Sequence, residues 1–258
     1  MVHITINGKV VKATEGEMLL TVIKREGIDI PALCHHEAIE PTGNCRLCMV
    51  EITRAEWEGW KKHVTSCLYP VEDGLIVNTH TPEVIEIRKT ILDLQLANCP
   101  NSEVIQKMAE EYGIYKTSYE TVPEGDNCIM CYACTRICEV LGKSAISAVM
   151  RGHKKVIAPP FGEEPPDCIG CLACAQICPT NVIPWTDKDG TRTIWNKKFD
   201  LITCKECGKT IITKDFADYL MEQRDIPKEY FELCDDCKRM QTARKMGEIV
   251  TRAQEATL

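Results

Sequence analysis

Two stretches of the chain repeat one arrangement of cysteines. Cys128, Cys131, Cys134 and Cys138 stand at C-x2-C-x2-C-x3-C, and Cys168, Cys171, Cys174 and Cys178 repeat that spacing after a proline-rich stretch, "APPFGEEPPD". The chemistry such runs suit is the binding of inorganic iron and sulfide. A four-iron cube needs four thiolates in a tetrahedral arrangement, and C-x2-C-x2-C lets one looping turn of backbone supply three of them. The fourth must come from elsewhere.

In two-cluster ferredoxins the last cysteine of each run ligates the other cluster. The spacing therefore predicts one 4Fe-4S set of Cys128, Cys131, Cys134 and Cys178, and a second of Cys168, Cys171, Cys174 and Cys138. Pro179 follows Cys178 as the bacterial pattern expects, while Glu139 stands at the matching place in the first run and is read as a loop difference. Eight cysteines in two matched runs leave little room for zinc or disulfides. A further four, Cys34, Cys45, Cys48 and Cys67, stand at C-x10-C-x2-C-x18-C. Plant-type 2Fe-2S ferredoxins use C-x4-C-x2-C and a distant cysteine, so only the first gap departs from that plan. Gly43 would let the longer loop pass close to the sulfurs. Zinc is the weaker alternative there, because zinc more often takes two paired CxxC knuckles.

Cys204, Cys207, Cys234 and Cys237 do form two such pairs, at C-x2-C-x26-C-x2-C. They suit a closed structural zinc site, with Gly208 in a knuckle turn; a third 4Fe-4S cluster is the alternative, since four thiolates can hold either. Such a site would stabilise a region with few core candidates, chiefly Phe216, Leu220, Tyr230, Phe231 and Leu233.

These ligands need elements to hold them. "HITIN", Asn7-Gly8 and "KVVKAT" read as a hairpin, followed by a helix with Leu19, Val22 and Ile23 on one face and Gly27 as its stop. "CMVEIT", "KHVTSC" and "LIVNTH" read as strands, giving a small mixed sheet with one helix across it. Thr81-Pro82 caps a linker helix with Val84, Ile87, Ile91 and Leu94 as its apolar stripe, and a second helix is expected over 102–112 with Val104, Met108 and Tyr112 on one face and Gly113 as its stop. A long helical tail begins near Cys234. The expected divisions are 1–80, a linker over 81–122, 123–190 and 191–258.

Composition narrows the function classes. The chain has 258 residues, 17 cysteines and a formal net charge of -7. An odd cysteine total gathered in CxxC groups argues for metal ligands over disulfides. No basic stripe supports nucleic-acid binding. The opening "MVHITINGKV" lacks the features of a secretory signal, and no apolar run is long enough to cross a membrane, so a soluble, cytoplasmic chain is expected. G-x-G-x-x-G after a strand and the phosphate-binding G-x-x-x-x-G-K-[ST] are both missing, and no substrate-converting centre is expected.

"DIPALCHHEAIEPTGNCRLCMVEI", "SCLYPVEDGLIV" and the helix after "THTPEV" resemble the N-terminal region of the large iron-sulfur subunit of respiratory complex I, a region shared with the diaphorase small subunit of NAD-reducing hydrogenases and the accessory domains of iron-only hydrogenases. The resemblance covers roughly residues 1 to 185. It implies an α+β chain: an N-terminal β-grasp 2Fe-2S ferredoxin-like domain, a helical linker and a two-cluster bacterial ferredoxin-like domain, to which a small C-terminal zinc domain is added. It also implies an electron wire between a flavin/NAD(H)-binding subunit and a catalytic oxidoreductase subunit such as a hydrogenase, with electron bifurcation and ferredoxin as a further partner in some assemblies. Cys34, Cys45, Cys48 and Cys67 would then be the 2Fe-2S ligands. The family usually carries another 4Fe-4S cluster on one histidine and three cysteines after the linker helix; here "LANCPNSEVIQKMAEEYG" keeps only Cys99, so that cluster is expected to be absent and Cys99 to be a buried thiol. His35 and His36, beside Cys34, are expected at the loop surface. The rival classes are a diffusible polyferredoxin and a zinc-only scaffold.

Overall fold

The computed structural model describes residues 1–121 and 127–255; the expected boundary between linker and tetracysteine region, at 122–123, lies outside them. The chain divides into two compact units, one of Met1–Ile157 with Ala173–Ile183, the other of Ala158–Leu172 with Pro184–Leu258.

The first unit opens with the expected hairpin. β1 (Val2–Ile6) turns at Asn7 and Gly8, with φ of 49° and 84°, into β2 (Lys9–Ala13). Both turn residues take the left-handed conformation that a two-residue hairpin needs, which is why Asn-Gly stands there. α1 (Leu19–Arg25) buries Leu19, Leu20, Val22 and Ile23 and ends at Gly27, φ 72°. β3 (Met49–Thr53), β4 (Lys62–Thr65) and β5 (Ile76–Asn78) complete a five-stranded sheet in the order β2-β1-β5-β3-β4. β1 and β5 run parallel and the other pairs antiparallel. The inward residues Ile4, Ile6, Val50, Ile52 and Val77 meet α1 in one core.

Thr81 caps α2 (Pro82–Asn98), its Oγ1 accepting the Val84 N–H at 3.3 Å, as the Thr-Pro signal predicts. The buried face differs from the expected stripe. It runs Val84, Arg88, Leu92, Leu96 at strict i+4 spacing, while Leu94 is exposed. An arginine fills one place in the stripe, and an apolar-only reading shifts the phase of the helix. α3 (Glu103–Glu111) is likewise rotated: Ile105 and Ala109 are its buried residues, Met108 and Tyr112 pack at the flank, and Val104 is only half-buried. Gly113, φ 79°, follows it. Then come α4 (Ala133–Val140), the paired strands β6 (Ser147–Val149) and β7 (Val156–Ala158), and the short α5 (Ala173–Gln176), which packs on α4.

The second unit holds a meander absent from the sequence expectations: β8 (Trp185–Lys188), β9 (Thr191–Ile194), β10 (Lys197–Thr203) and β11 (Thr210–Thr213), all antiparallel. Asp189-Gly190 and Trp195-Asn196 make its first two turns, all four residues with positive φ. β8 is exposed along its whole length, so it carries no alternation of apolar residues to read. α6 (Lys214–Arg224), capped by Thr213, and α7 (Asp235–Glu255) complete the unit. Phe231 is buried as expected, but Tyr230 is half-exposed, its ring covered by the Lys238 ammonium at 3.3 Å. None of the described helices is long and apolar enough to cross a membrane.

Candidate metal centres

Cys34 sits in the loop after α1, Cys45 and Cys48 in the loop leading into β3, and Cys67 in a single 3-10 turn after β4. All four are buried, none more than 3% exposed. Their sulfurs associate in two pairs. The Cys45 N–H donates to Cys34 Sγ at 3.4 Å, and the Cys45 thiol hydrogen-bonded to Cys34 pulls that group down to about 6 against the opposing effect of burial. Cys45 is pushed up by the same hydrogen bond and by burial. Cys48 is drawn down to about 6 by the Cys67 thiol, and Cys67 is driven up in turn by that bond and by burial. The two thiols of each pair are hydrogen-bonded to each other, and four anionic sulfurs packed here would require a cationic centre among them. A donor set of four buried thiols with no carboxylate or imidazole in it suits soft metal chemistry.

Gly43 has φ of 64°, and a Cβ there would come within 2.6 Å of Leu68 Cδ1. The close approach is to the residue after Cys67, so the glycine lets the long Cys34–Cys45 loop close over the turn that carries the fourth sulfur.

The two tetracysteine runs share a backbone form as well as a spacing. Met130 and Tyr132 have φ of 52° and 60°; Gly170 and Leu172, at the matching positions, have 66° and 65°. Left-handed residues between successive cysteines curl the chain so that side chains and N–H groups can converge. Cys134 is pushed up to about 12 by burial and then by the charges of Cys131, Cys174, Cys128 and Cys178. Cys131 is raised by burial, with Cys178 contributing. Three of the first expected set, Cys128, Cys131 and Cys178, therefore act on the fourth, and Cys174 joins them. Cys138 Sγ accepts the Ala145 N–H at 3.3 Å.

Cys168 and Cys171 belong to the second unit, where the sheet fixes their loop. Lys197 Nζ donates to the Cys168 carbonyl at 2.9 Å, Thr213 Oγ1 to Ile169 at 2.6 Å and Arg192 Nη1 to Gly170 at 3.0 Å. Arg192 is itself held by both carboxylate oxygens of Asp187 at 2.8 Å.

Within the first unit, residues that carried no signal in the sequence join the Cys34 loop to the first run. Arg136 of α4 donates from Nη2 to the Cys34 carbonyl at 2.9 Å and to the Cys131 carbonyl at 3.2 Å, and from Nη1 to Glu40. Two bonds of that length to one nitrogen keep those carbonyl oxygens within about 6 Å of each other. Asn44 Nδ2 also donates to Cys131, and Asn98 Nδ2 to Cys128, both at 3.2 Å. One apolar cluster contains Cys34, Cys45 and Cys131 together with Leu47, Leu92 and Ile129. The only available signal was the arginine inside "ACTRIC", which ligand spacing does not read.

Cys99 is fully buried, as expected, with Asn98 Nδ2 3.4 Å from its sulfur. His36 is exposed and accepts the Ala38 N–H at 3.1 Å; His35 is half-buried, which lowers its pKa.

Cys204, Cys207, Cys234 and Cys237 bring their sulfurs within 4.8 Å of one another. The Gly208 N–H returns to the Cys204 carbonyl at 2.9 Å with φ of 71°, the knuckle turn expected for that glycine. Backbone N–H groups, first that of Cys234 and then those of Cys207 and Glu206, hold the Cys204 sulfur down to about 6. Cys237, on the first turn of α7, is raised by burial and by hydrogen bonds to its partner thiols.

The four paired, buried thiols all lie within residues 1–82, which match the family described as 2Fe-2S iron-sulfur cluster binding domain. The chain is 32% identical to the NADP-reducing hydrogenase subunit HndD of Solidesulfovibrio fructosivorans, over 62% of this chain and 32% of that one. It is 32% identical to the NADPH-Fe(3+) oxidoreductase subunit alpha of Geobacter sulfurreducens, over 71% of this chain and 24% of that one. It is 31% identical to the NADH-ubiquinone oxidoreductase 75 kDa subunit of Reclinomonas americana, over 61% of this chain and 26% of that one. The chain thus spans about a third or less of the curated relatives it matches. The crystal structure of an NAD+-reducing NiFe-hydrogenase in its H2-reduced state contains a chain of the same fold, with a TM-score of 0.61 at 23% identity over 70% of this chain and 85% of that one. The family resemblance expected from the cysteine motifs is borne out.

Proposed function

We propose that this chain is the iron-sulfur electron relay of a multisubunit NAD(P)H-linked oxidoreductase, standing between a flavin/NAD(H)-binding subunit and a catalytic subunit such as a hydrogenase. The observation that carries the reading is the double role of Arg136, which ties the backbone of Cys34 to that of Cys131 and so keeps the N-terminal site beside the first tetracysteine run. In this reading Cys34 and Cys45 take one iron of a 2Fe-2S centre in a β-grasp domain, and Cys48 and Cys67 the other, a division supported by the two sulfur pairs. Cys128, Cys131, Cys134 and Cys178 hold one 4Fe-4S cluster. Cys168, Cys171, Cys174 and Cys138 hold a second, an assignment that rests on the sequence repeat. When bound, such centres supply reversible one-electron storage. The chain supplies thiolates, N–H groups directed at sulfur, and the apolar shell of Leu47, Leu92 and Ile129 that excludes water.

For the C-terminal site we favour zinc. Four sulfurs at about 2.3 Å from one tetrahedral ion lie about 3.8 Å apart, which agrees with a set confined within 4.8 Å. A cube places each thiolate on a separate iron and spreads them wider. The zinc-bound unit then serves as a docking platform in a cytoplasmic complex.

The test is anaerobic purification of the native protein. Comigration with flavin-binding and catalytic chains, identified by mass spectrometry, supports the relay. A stable monomer carrying the clusters would replace it with a diffusible carrier.

A further inference from the structure

Arg88 of α2 is fully buried, yet no carboxylate among the described residues pairs with it. Its guanidinium donates from Nε to the Leu47 carbonyl at 3.1 Å and from Nη2 to the Met49 carbonyl at 2.7 Å, while Nη1 is buried without a partner. Those two carbonyls flank Cys48. The nearby acid on β3, Glu51, is already taken by Lys61 and Asn78.

A charge buried this way is expensive. Removing an ion from water is costly even after relaxation, and an orphaned buried N–H adds its own desolvation penalty. Lysine or histidine could escape by losing a proton, but a guanidinium cannot. A leucine or methionine would fill the same place in the Val84–Leu92–Leu96 stripe without that penalty. Something anionic must offset it, and the anionic feature that the arginine grips is the four-cysteine site containing Cys48.

We infer that Arg88 is the built-in counter-charge of the two-iron centre: its fork fixes the backbone on both sides of Cys48, and its positive charge stabilises the reduced, more negative state of that centre. The inference rests on the 2Fe-2S reading above and extends it to a residue outside the ligand set. Arg88 is a positioning residue, since it acts through the ligand loop. It also makes α2 and the cluster mutually dependent, because the helix buries its charge comfortably only when the site is filled.

The experiment is a redox titration of the two-iron signal by electron paramagnetic resonance in the full chain, comparing wild type with Arg88→Lys, Arg88→Gln and Arg88→Met. An anionic centre beside it would hold the ammonium of Arg88→Lys protonated, so this variant should keep the charge and the wild-type potential. Glutamine and methionine should each shift the reduction equilibrium at least tenfold toward the oxidised state, about 59 mV for a one-electron couple. Glutamine or methionine variants with an intact two-iron signal and an equilibrium within about threefold of wild type would overturn the inference. So would a lysine variant displaced as far as the glutamine one, which would assign the effect to the fork alone. If the neutral variants fail to load iron, the lysine variant decides: loading at a near-wild-type potential supports the charge role, and failure to load overturns it. A wild type without any two-iron signal would instead overturn the cluster reading itself.

Discussion

Gly170, between Cys168 and Cys171, offers a sharp test of how the second tetracysteine loop is held. Its φ is 66°, and a Cβ built there would meet Phe199 Cδ2 at 2.8 Å, Phe199 Cγ at 2.9 Å and Thr213 Cγ2 at 2.9 Å. Carbon atoms in good contact sit at about 3.5–4.0 Å, so the methyl group of Gly170→Ala intrudes by roughly 0.7 Å on two residues at once. Neither can step aside cheaply. Phe199 is 2% exposed and Thr213 fully buried, and the Thr213 hydroxyl both donates to Ile169 and caps α6 by accepting from Phe216. The left-handed backbone costs an alanine about 1–2 kcal/mol and overpacking about 1–3 kcal/mol, for a total of about 2–5 kcal/mol. Hydrogen exchange at the β9–β11 amides reads this directly. A loss of 2 kcal/mol makes exchange about thirtyfold faster at the least, and iron content should fall with it. Gly43→Ala is the control: its clash is with the tip of Leu68, which is 43% exposed and can swing away, so the cost stays near the backbone's 1–2 kcal/mol. Exchange in β10 unchanged within about threefold in Gly170→Ala would refute the packing argument.

Arg136→Leu removes charged bonds to the carbonyls of Cys34, Glu40 and Cys131 and should cost the first unit about 1.5–3 kcal/mol in chemical denaturation; Arg136→Lys should not rescue it, because an ammonium cannot reproduce the planar fork. Asp93 accepts from Ser118 N at 3.0 Å and Ser118 Oγ at 2.5 Å, which lowers its pKa below the usual 3.8. Its contribution to stability is complete above that ordinary value and disappears as pH falls through the lowered one, so Asp93→Asn should lower stability at neutral pH, change little at low pH, and flatten the fall in stability below about pH 4. Cys207→Ser should release zinc and unprotect the start of α7 in hydrogen exchange while leaving iron content intact; loss of iron would contradict a separate structural site.

Much of this architecture is legible in residues whose role is local. Asn7-Gly8 announces its turn, and Thr81-Pro82 starts its helix at the expected place, because each satisfies a backbone requirement that only a few side chains meet. Cysteine spacing is legible for a similar reason, since thiolates have few other uses in such density. The misread features are those where a tertiary partner overrides the local pattern. Arg88 occupies an apolar position in α2, so an apolar stripe drawn through Ile87, Ile91 and Leu94 is rotated away from the true buried face. The meander combines a fully exposed first strand, β8, with turns that include Trp195-Asn196, a pair with little turn signature. Arg136 and Asn44 act on main-chain carbonyls across more than 80 residues of sequence, and no spacing rule reports such bonds.

The central claim is that twelve cysteines hold one two-iron and two four-iron centres while four more hold a single metal ion. Iron, acid-labile sulfide and zinc measured together on the anaerobically purified chain test it most directly. The account predicts about ten iron, about ten sulfide and one zinc per chain. A preparation without labile sulfide, or one with about fourteen iron and no zinc, would contradict it.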